Sequence, residues 1–170
     1  MIGFTDDREQ IISLWRSVFS EDSREDVLFF LEKSRNADCL GYFKEEKLVS
    51  MLFLIDCSYS GLNGKYVYAV CTDEKFRNKG CSSNLINEAK KYMNDFLWLI
   101  PANDALFGFY AKFGFETKLH SDAKYKNKIV FDESNEIIEY LYSGSDYTYP
   151  DGMVYSIKNF PVGNTGMIIK

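Results

Sequence analysis

The sequence is poor in proline and in histidine. Among its 170 residues, 3 are prolines and 1 is a histidine, His120. So few prolines argue against Pro-rich linkers and collagen-like repeats. The four cysteines, Cys39, Cys57, Cys71 and Cys81, form no CxxC pair. We therefore expect no zinc site, and we expect thiols that are reduced and mostly buried.

Long hydrophobic runs and an excess of basic residues are also missing. The apolar run at residues 51–55 is far too short to span a bilayer, and the N-terminal stretch lacks the features of a secretory signal. The 20 Lys and Arg residues are outnumbered by 25 Asp and Glu residues, which gives a net charge of −5. General nucleic-acid binding needs a basic surface, so we expect no nucleic-acid partner. The short apolar runs and the missing signal lead us to expect a cytoplasmic protein with no membrane partner.

The composition is that of a globular domain. Hydrophobic residues make up 46% of the chain and charged residues 26%, which argues against extended disorder. A chain of this length fits one domain and can bury a sizeable core.

Two amphipathic helices are predicted near the start of the chain. Asp6 with Glu9 has the spacing of a capping box, and apolar residues follow at helical intervals. Ser23 with Asp26 gives a second start of the same kind. Three strand-like runs, which predict an antiparallel meander, follow at residues 40–44, 48–60 and 65–72.

The middle of the chain alternates between helix and strand patterns. A polar loop at residues 73–79 and then Gly80 precede an amphipathic helix, residues 96–100 form an apolar strand, and Asn103 begins a helix that Gly114 can end. This order predicts a βαβ unit. We therefore expect an α/β (α+β) fold with a mixed, mainly antiparallel sheet flanked by helices. Later strands are predicted at residues 115–119, 128–131 and 153–158, while residues 137–142 fit either a strand or a helix.

The loop between the strand and the helix carries the clearest chemical signal. Lys75, Arg77 and Lys79 concentrate positive charge there, and Gly80 lets the backbone approach a ligand closely. The free amides and the dipole at a helix start favour an anion. The loop has neither the Walker A nor the G-x-G-x-x-G pattern, so we expect the phosphate or pyrophosphate of another ligand. A solvated loop without a ligand is the alternative interpretation.

Two motifs resemble those of the GNAT (Gcn5-related N-acetyltransferase) superfamily. R-x-x-G-x-S at residues 77–82 is similar to the family's acyl-CoA loop, Q/R-x-x-G-x-G/A, from which Ser82 departs at the last position. Asn103, Tyr110 and K-F-G-F at residues 112–115 resemble the later motif N-x(6)-Y-x-K-x-G-F. The resemblance covers about residues 5–120. It implies a GNAT-like fold with an acyltransferase core at residues 1–120 and a C-terminal extension at 121–170 packed on the same domain.

The resemblance also implies an N-acyltransferase that uses acetyl-CoA as a cosubstrate. In such an enzyme the end of the strand pairs with the pantetheine, the loop amides hold the pyrophosphate, and the asparagine contacts the pantetheine arm. The implied cofactor-binding residues are Ala69, Val70, Cys71, Thr72, Arg77, Asn78, Lys79, Gly80, Cys81, Ser82, Ser83 and Asn103. The resemblance implies direct attack of the amine on the thioester. Tyr110 is the implied general acid, because a neutral phenol can protonate the CoA thiolate as it leaves.

Other parts of the chemistry stay open at this level. The acceptor, a primary amine, must be neutral to attack, and the candidates for its base are Asp56, Asp73, Glu74 and the C-terminal carboxylate. A covalent route through Cys71 or Cys81 is disfavoured because no histidine is adjacent in sequence. The aromatic segment at residues 140–155 offers one wall for an acceptor site, and the edge strands are compatible with a homodimer. The alternative function is a non-catalytic module that binds acyl-CoA or a partner protein.

Overall fold

The computed structural model describes residues 1–142 and 151–166, which form two compact units. The first comprises Met1–Ile55 and Val67–Tyr92, and the second comprises Asp56–Tyr66 and Met93–Lys170. Much of the aromatic segment at residues 140–155 and the C-terminal carboxylate lie outside the described residues. No described helix is long and apolar enough to cross a membrane.

The first unit is a sheet covered by helices. Its strands follow the order β1-β2-β3-β4, and the pairs β1–β2 and β2–β3 are antiparallel. The β2–β3 pair is the first pair of the predicted meander. The strands are β1 (Ile2–Thr5), β2 (Ala37–Lys44), and the parts of β3 (Lys47–Tyr59) and β4 (Leu62–Thr72) that belong to this unit. The helices are α1 (Arg8–Val18), α2 (Arg24–Lys33) and α3 (Cys81–Ala89).

The caps of the first two helices correct one prediction and confirm another. The carboxylate of Asp7, not Asp6, accepts the backbone N–H of Gln10 and caps α1. The Gln10 side chain donates back to Asp7 and accepts the N–H of Leu48 at 2.7 Å, which fixes the cap one residue later than predicted. The capping box of Ser23 and Asp26 is present as predicted.

The core of the first unit is aromatic. The ring of Trp15 on α1 lies 5.6 Å from Phe30 of α2 and 5.7 Å from Phe53 of β3, measured between ring centroids. Such tilted and edge-on contacts are the geometry that aromatic pairs prefer. The Trp15 indole N–H donates to the Asp22 carboxylate at 2.7 Å, so its polar atom is also satisfied. The interior of β3 is buried on both faces, as its continuous apolar run predicts.

The second unit combines strands from the middle and the end of the chain. The strand order is β4-β5-β8-β6-β9, with β7 paired to β3. Its new strands are β5 (Phe96–Leu99), β6 (Glu116–His120), β7 (Val130–Phe131), β8 (Gly152–Ser156) and β9 (Gly163–Asn164). Its helices are α4 (Asp104–Ala111) and α5 (Asn135–Tyr142), so the ambiguous residues 137–142 are helical.

The pairing directions confirm the predicted fold class. β4 and β5 run parallel, as the βαβ unit predicts, and β6 and β9 form a second parallel pair that was not predicted. The pairs β1–β2, β2–β3, β3–β7, β5–β8 and β6–β8 are antiparallel. The described protein is therefore α/β with a mixed, mainly antiparallel sheet and flanking helices.

The residues beyond 120 are tied closely to the rest of the second unit. β8 pairs with β5 on one side and with β6 on the other. The Tyr59 hydroxyl donates to the Pro161 carbonyl, and the Tyr142 hydroxyl donates to the Thr165 carbonyl at 3.0 Å. The predicted boundary between a core and an extension at residue 120 stays a prediction.

Candidate functional site

The backbone of β4 is irregular at Ala69, the fourth residue from the end of the strand. Ala69 has a φ of +52°, in the left-handed region that costs a non-glycine residue about 1–2 kcal/mol. Tyr68, Ala69 and Val70 are all half-buried, so the usual alternation of a strand is broken at this point. β4 ends at Thr72, six residues after its pairing of Tyr66 with Trp98, whereas β5 ends one residue after that pair, at Leu99.

A buried hydroxyl from the neighbouring strand contacts the end of β4. Ser50 of β3 has no exposed surface, and its hydroxyl donates to the Cys71 carbonyl at 3.1 Å. The same hydroxyl lies 2.7 Å from that of Thr72. Ser50 is not among the residues predicted from the sequence, although a lone hydroxyl inside the apolar run of β3 is a signal that could have found it.

The loop after β4 begins with a short 3-10 turn at Glu74–Phe76. The Asp73 carboxylate accepts the backbone N–H of Lys75 at 2.9 Å and lies 3.4 Å from the Lys47 ammonium. The hydrogen bond from Lys75, assisted by Lys47, holds the pKa of Asp73 below its ordinary value. This carboxylate therefore organises the loop and is a weak candidate for the general base.

Gly80 sits between this loop and α3, as predicted. It is the N-cap residue of the helix, with φ +80°, and no side chain caps the helix start. The first helical bond joins the Asn84 N–H to the Gly80 carbonyl at 3.0 Å, so the amides of residues 81–83 have no partner within the helix. The first turn carries no acidic residue, and a Cβ at Gly80 would meet no atom within 4 Å. The geometry fits an anion at the helix start.

The three cations of the loop are exposed. The Arg77 Nε donates to the Thr72 carbonyl at 3.3 Å, and the Lys79 ammonium lies 5.3 Å from the centroid of the Phe76 ring. The backbone N–H of Lys75 donates to the Asp73 carboxylate. Arg77 is thus the cation that folds back onto the end of β4.

The second motif lies on α4, in the second unit. Asn103 is the N-cap residue of α4, and its side chain accepts the Leu106 N–H at 3.2 Å, which confirms the predicted helix start. Tyr110 lies in the last turn and is 6% exposed. Burial raises the pKa of Tyr110 to about 12, so the phenol is protonated at neutral pH. Gly114, with φ +88°, follows the helix as predicted.

The predicted site residues therefore fall into two groups. β4, the loop and the start of α3 place one group together in the first unit: Ala69, Val70, Cys71, Thr72, Arg77, Asn78, Lys79, Gly80, Cys81, Ser82 and Ser83. The structure places Asn103 and Tyr110 together on α4 in the second unit.

The other candidate groups have local explanations. Asp56 forms an ion pair with Lys65. Burial raises the pKa of the Cys71 thiol, which disfavours the thiolate that a covalent route needs. His120 lies on β6, where its Nδ1 is 2.9 Å from the Asp151 carboxylate. Within residues 1–142 and 151–166, no group of three or more His, Cys, Asp or Glu side chains could hold a metal ion.

The fold is similar to that of several solved structures. An aminoglycoside 6'-N-acetyltransferase complexed with coenzyme A is 14% identical, with a TM-score of 0.64, and the match covers 95% of this chain and 99% of that one. The aminoglycoside 6'-N-acetyltransferase from Enterococcus faecium is 15% identical, with a TM-score of 0.63 and the same coverage. A conserved protein of unknown function from Enterococcus faecalis V583 is 16% identical, with a TM-score of 0.55 and 71% of this chain covered. This chain spans only 33% of the length of that protein.

Sequence comparison identifies the family. No curated protein matches the sequence. The family model of the acetyltransferase (GNAT) domain matches residues 4–118, more than half of the chain, and that range includes both the loop at 77–82 and Tyr110. The chain belongs to the GNAT acetyltransferase family.

Proposed function

We propose that the protein transfers the acetyl group of acetyl-CoA to a primary amine. The observation that carries this proposal is the start of α3. There Gly80 begins a helix whose N-terminus no side chain caps, directly after a loop with three exposed cations. A phosphate-bearing ligand is the chemistry that such a helix start fits.

The pyrophosphate of acetyl-CoA would lie at the start of α3. The amides of residues 78–83 would donate to its oxygens, and Arg77 and Lys79 would add positive charge. The open space at the Cβ position of Gly80 supports this assignment, because the backbone there can be approached without a steric clash. The small side chains of Ser82 and Ser83 are compatible with the same approach.

The pantetheine arm would pair with the end of β4 as an added strand. The backbone groups of Ala69, Val70, Cys71 and Thr72 would form this edge. The left-handed φ of Ala69 supports the proposal, since strained backbone is often retained at a site that uses it. Asn103 would contact the arm while its side chain also caps α4.

The reaction needs one acid and one base. The nitrogen of the neutral amine attacks the thioester carbonyl, a C–N bond forms, and the C–S bond breaks. Tyr110 would give its proton to the departing thiolate, and its raised pKa keeps that proton in place at neutral pH. The amine proton would leave to water or to a carboxylate. Among the candidates, Asp73 is disfavoured by its lowered pKa, and Asp56 is paired with Lys65.

The acceptor is a small or macromolecular amine. Two of the similar solved structures are aminoglycoside 6'-N-acetyltransferases. At 14–15% identity this similarity concerns the fold alone. The net charge of −5 favours a cationic acceptor through electrostatic steering. Aminoglycosides, polyamines, amino acids and lysine peptides therefore form the panel to test.

The test is the release of CoA thiol from acetyl-CoA in the presence of each amine. The proposal predicts release that depends on both the enzyme and one class of amine, together with an acetylated product of the expected mass. Binding of acetyl-CoA without release by any amine would favour the non-catalytic module. No binding of acetyl-CoA would contradict both functions.

A further inference from the structure

We propose that Ser50 is a positioning residue that sets the affinity for acyl-CoA by fixing the end of β4 on which Arg77 rests. This inference rests on the proposed function. The Ser50 hydroxyl lies in an otherwise apolar stretch of β3. Ser50 is fully buried between Val49 and Met51, which are also fully buried. A hydroxyl at such a position destabilises the fold unless it finds partners.

The partners of Ser50 all belong to the end of β4. Its single proton goes to the Cys71 carbonyl at 3.1 Å. The Thr72 hydroxyl lies 2.7 Å from the Ser50 oxygen and can donate to it while Ser50 donates to the Cys71 carbonyl. Both contacts of the Ser50 hydroxyl therefore fall on the last two residues of β4.

The end of β4 at Thr72 also contacts the loop at residues 73–79. The Thr72 carbonyl accepts the Arg77 Nε at 3.3 Å. The next N–H, that of Asp73, donates at 2.8 Å to the carbonyl of Val49, the residue before Ser50. The Asp73 carboxylate in turn accepts the Lys75 N–H at 2.9 Å. A chain of short contacts thus joins the buried hydroxyl of β3 to the first residues of the loop.

This series of contacts has a functional consequence for Arg77. With its Nε bound to the Thr72 carbonyl, the guanidinium is attached to the strand end and has its remaining N–H groups for an anion. Loss of the Ser50 hydroxyl would loosen Thr72 and with it the support of Arg77. The affinity for the phosphate-bearing ligand should fall, whereas the acid on α4 lies in the other unit and should keep its role.

The test compares four single variants with the wild type. Ser50→Ala and Thr72→Val each remove one end of the hydroxyl pair, and Thr72→Ser keeps the hydroxyl. Ser58→Ala makes the same change as Ser50→Ala further along β3. For each variant we would measure the Kd of CoA by calorimetry, and the KM of acetyl-CoA and kcat by thiol release with the best amine.

The expected result is a change in affinity alone. Ser50→Ala and Thr72→Val should raise the Kd of CoA and the KM of acetyl-CoA by about threefold to tenfold, as the loss of one hydrogen bond predicts, with kcat nearly unchanged. Thr72→Ser should bind CoA more tightly than Thr72→Val, because it keeps the hydroxyl, and Ser58→Ala should retain the wild-type values. The double variant Ser50→Ala/Thr72→Val should bind CoA about as well as either single variant, because both changes break one contact.

Two results would overturn the inference. If Ser50→Ala and Thr72→Val lower the thermal stability but bind CoA with the wild-type Kd, the hydroxyl pair is only structural. If Ser50→Ala does not fold, equal affinity of Thr72→Val and Thr72→Ser for CoA would likewise show that the pair is only structural. Failure of the wild type itself to bind CoA would overturn the proposed function and this inference together, so the two failures are distinguishable.

Discussion

Gly61 and Gly80 share a left-handed backbone, with φ +80° at both positions and no atom within 4 Å of a Cβ added at either. Gly61 lies in the turn between β3 and β4, whereas Gly80 begins α3. The same substitution at the two glycines therefore imposes the same backbone strain in two different surroundings. The pair separates the cost of that strain from the loss of a binding site.

Gly80→Ala should weaken CoA binding, and Gly61→Ala should not. Each change costs about 1–2 kcal/mol in backbone strain, which lowers the unfolding temperature by a few degrees in a chain of this size. Only Gly80→Ala would also displace the amides at the helix start. The loss of one hydrogen bond to a charged ligand corresponds to about a tenfold or larger rise in Kd. Calorimetry measures the Kd of CoA for each variant. Equal affinities of the two variants for CoA would contradict the assignment of the anion site to the start of α3.

Tyr110→Phe should lower turnover and leave binding intact. The change removes one oxygen atom from a side chain that is 6% exposed and keeps its packing against Phe109 and Phe115. Loss of a general acid typically costs about a hundredfold or more in rate. We expect kcat in the thiol-release assay to fall by that order, with the Kd of CoA unchanged.

The matched control for that variant is Tyr125→Phe. Tyr125 is half-buried and packs against His120, away from α4 in sequence. Its loss of a hydroxyl should leave kcat at the wild-type value. Wild-type turnover in Tyr110→Phe would contradict the acid role and leave Tyr110 as a core residue.

The pH profile should lack a tyrosine limb near pH 10. Tyr110 acts in its protonated form, so activity would be lost only as the pH rises through its pKa. Burial raises that pKa to about 12, whereas an unshifted phenol titrates near about 10. The value of kcat/KM should therefore rise as the amine loses its proton, with no fall before about pH 10. A fall centred near pH 10 that disappears in Tyr110→Phe would show an unshifted phenol.

Asp73→Asn should retain most of the turnover. The pKa of Asp73 is lowered by the Lys75 N–H and by Lys47, which makes its carboxylate a poor proton acceptor. The asparagine can still accept the Lys75 N–H, and the lost ion pair involves a largely exposed Lys47, so the change in kcat should stay within about fivefold. A loss of about a hundredfold, with CoA affinity preserved, would instead identify Asp73 as the base.

Much of the fold could be predicted because its signals are local. The capping box at Ser23, the apolar run of β3, the loop before Gly80 and the helix start at Asn103 each depend on a few neighbouring residues. The family motifs lie on these same elements, which is why the candidate site could be written down from the sequence.

The rest depends on contacts between distant parts of the chain. β1 was not predicted, because it is a four-residue strand with little alternation and forms only by pairing with β2. The place of β8 between β5 and β6 depends on pairing with residues more than thirty positions away. The left-handed φ of Ala69 has no sequence signal, since alanine rarely adopts it.

The most direct test of the proposed function is thermal unfolding of the protein with acetyl-CoA, with CoA and with ATP. A ligand present at about 100 times its Kd adds about 2.7 kcal/mol to the free energy of unfolding. For a chain of this size that is a rise of about 5–10 °C. We expect this rise with acetyl-CoA and with CoA, little change with ATP, and a reduced rise for Gly80→Ala but not for Gly61→Ala. An unfolding temperature that neither CoA species changes would contradict the central claim that this GNAT protein binds acetyl-CoA.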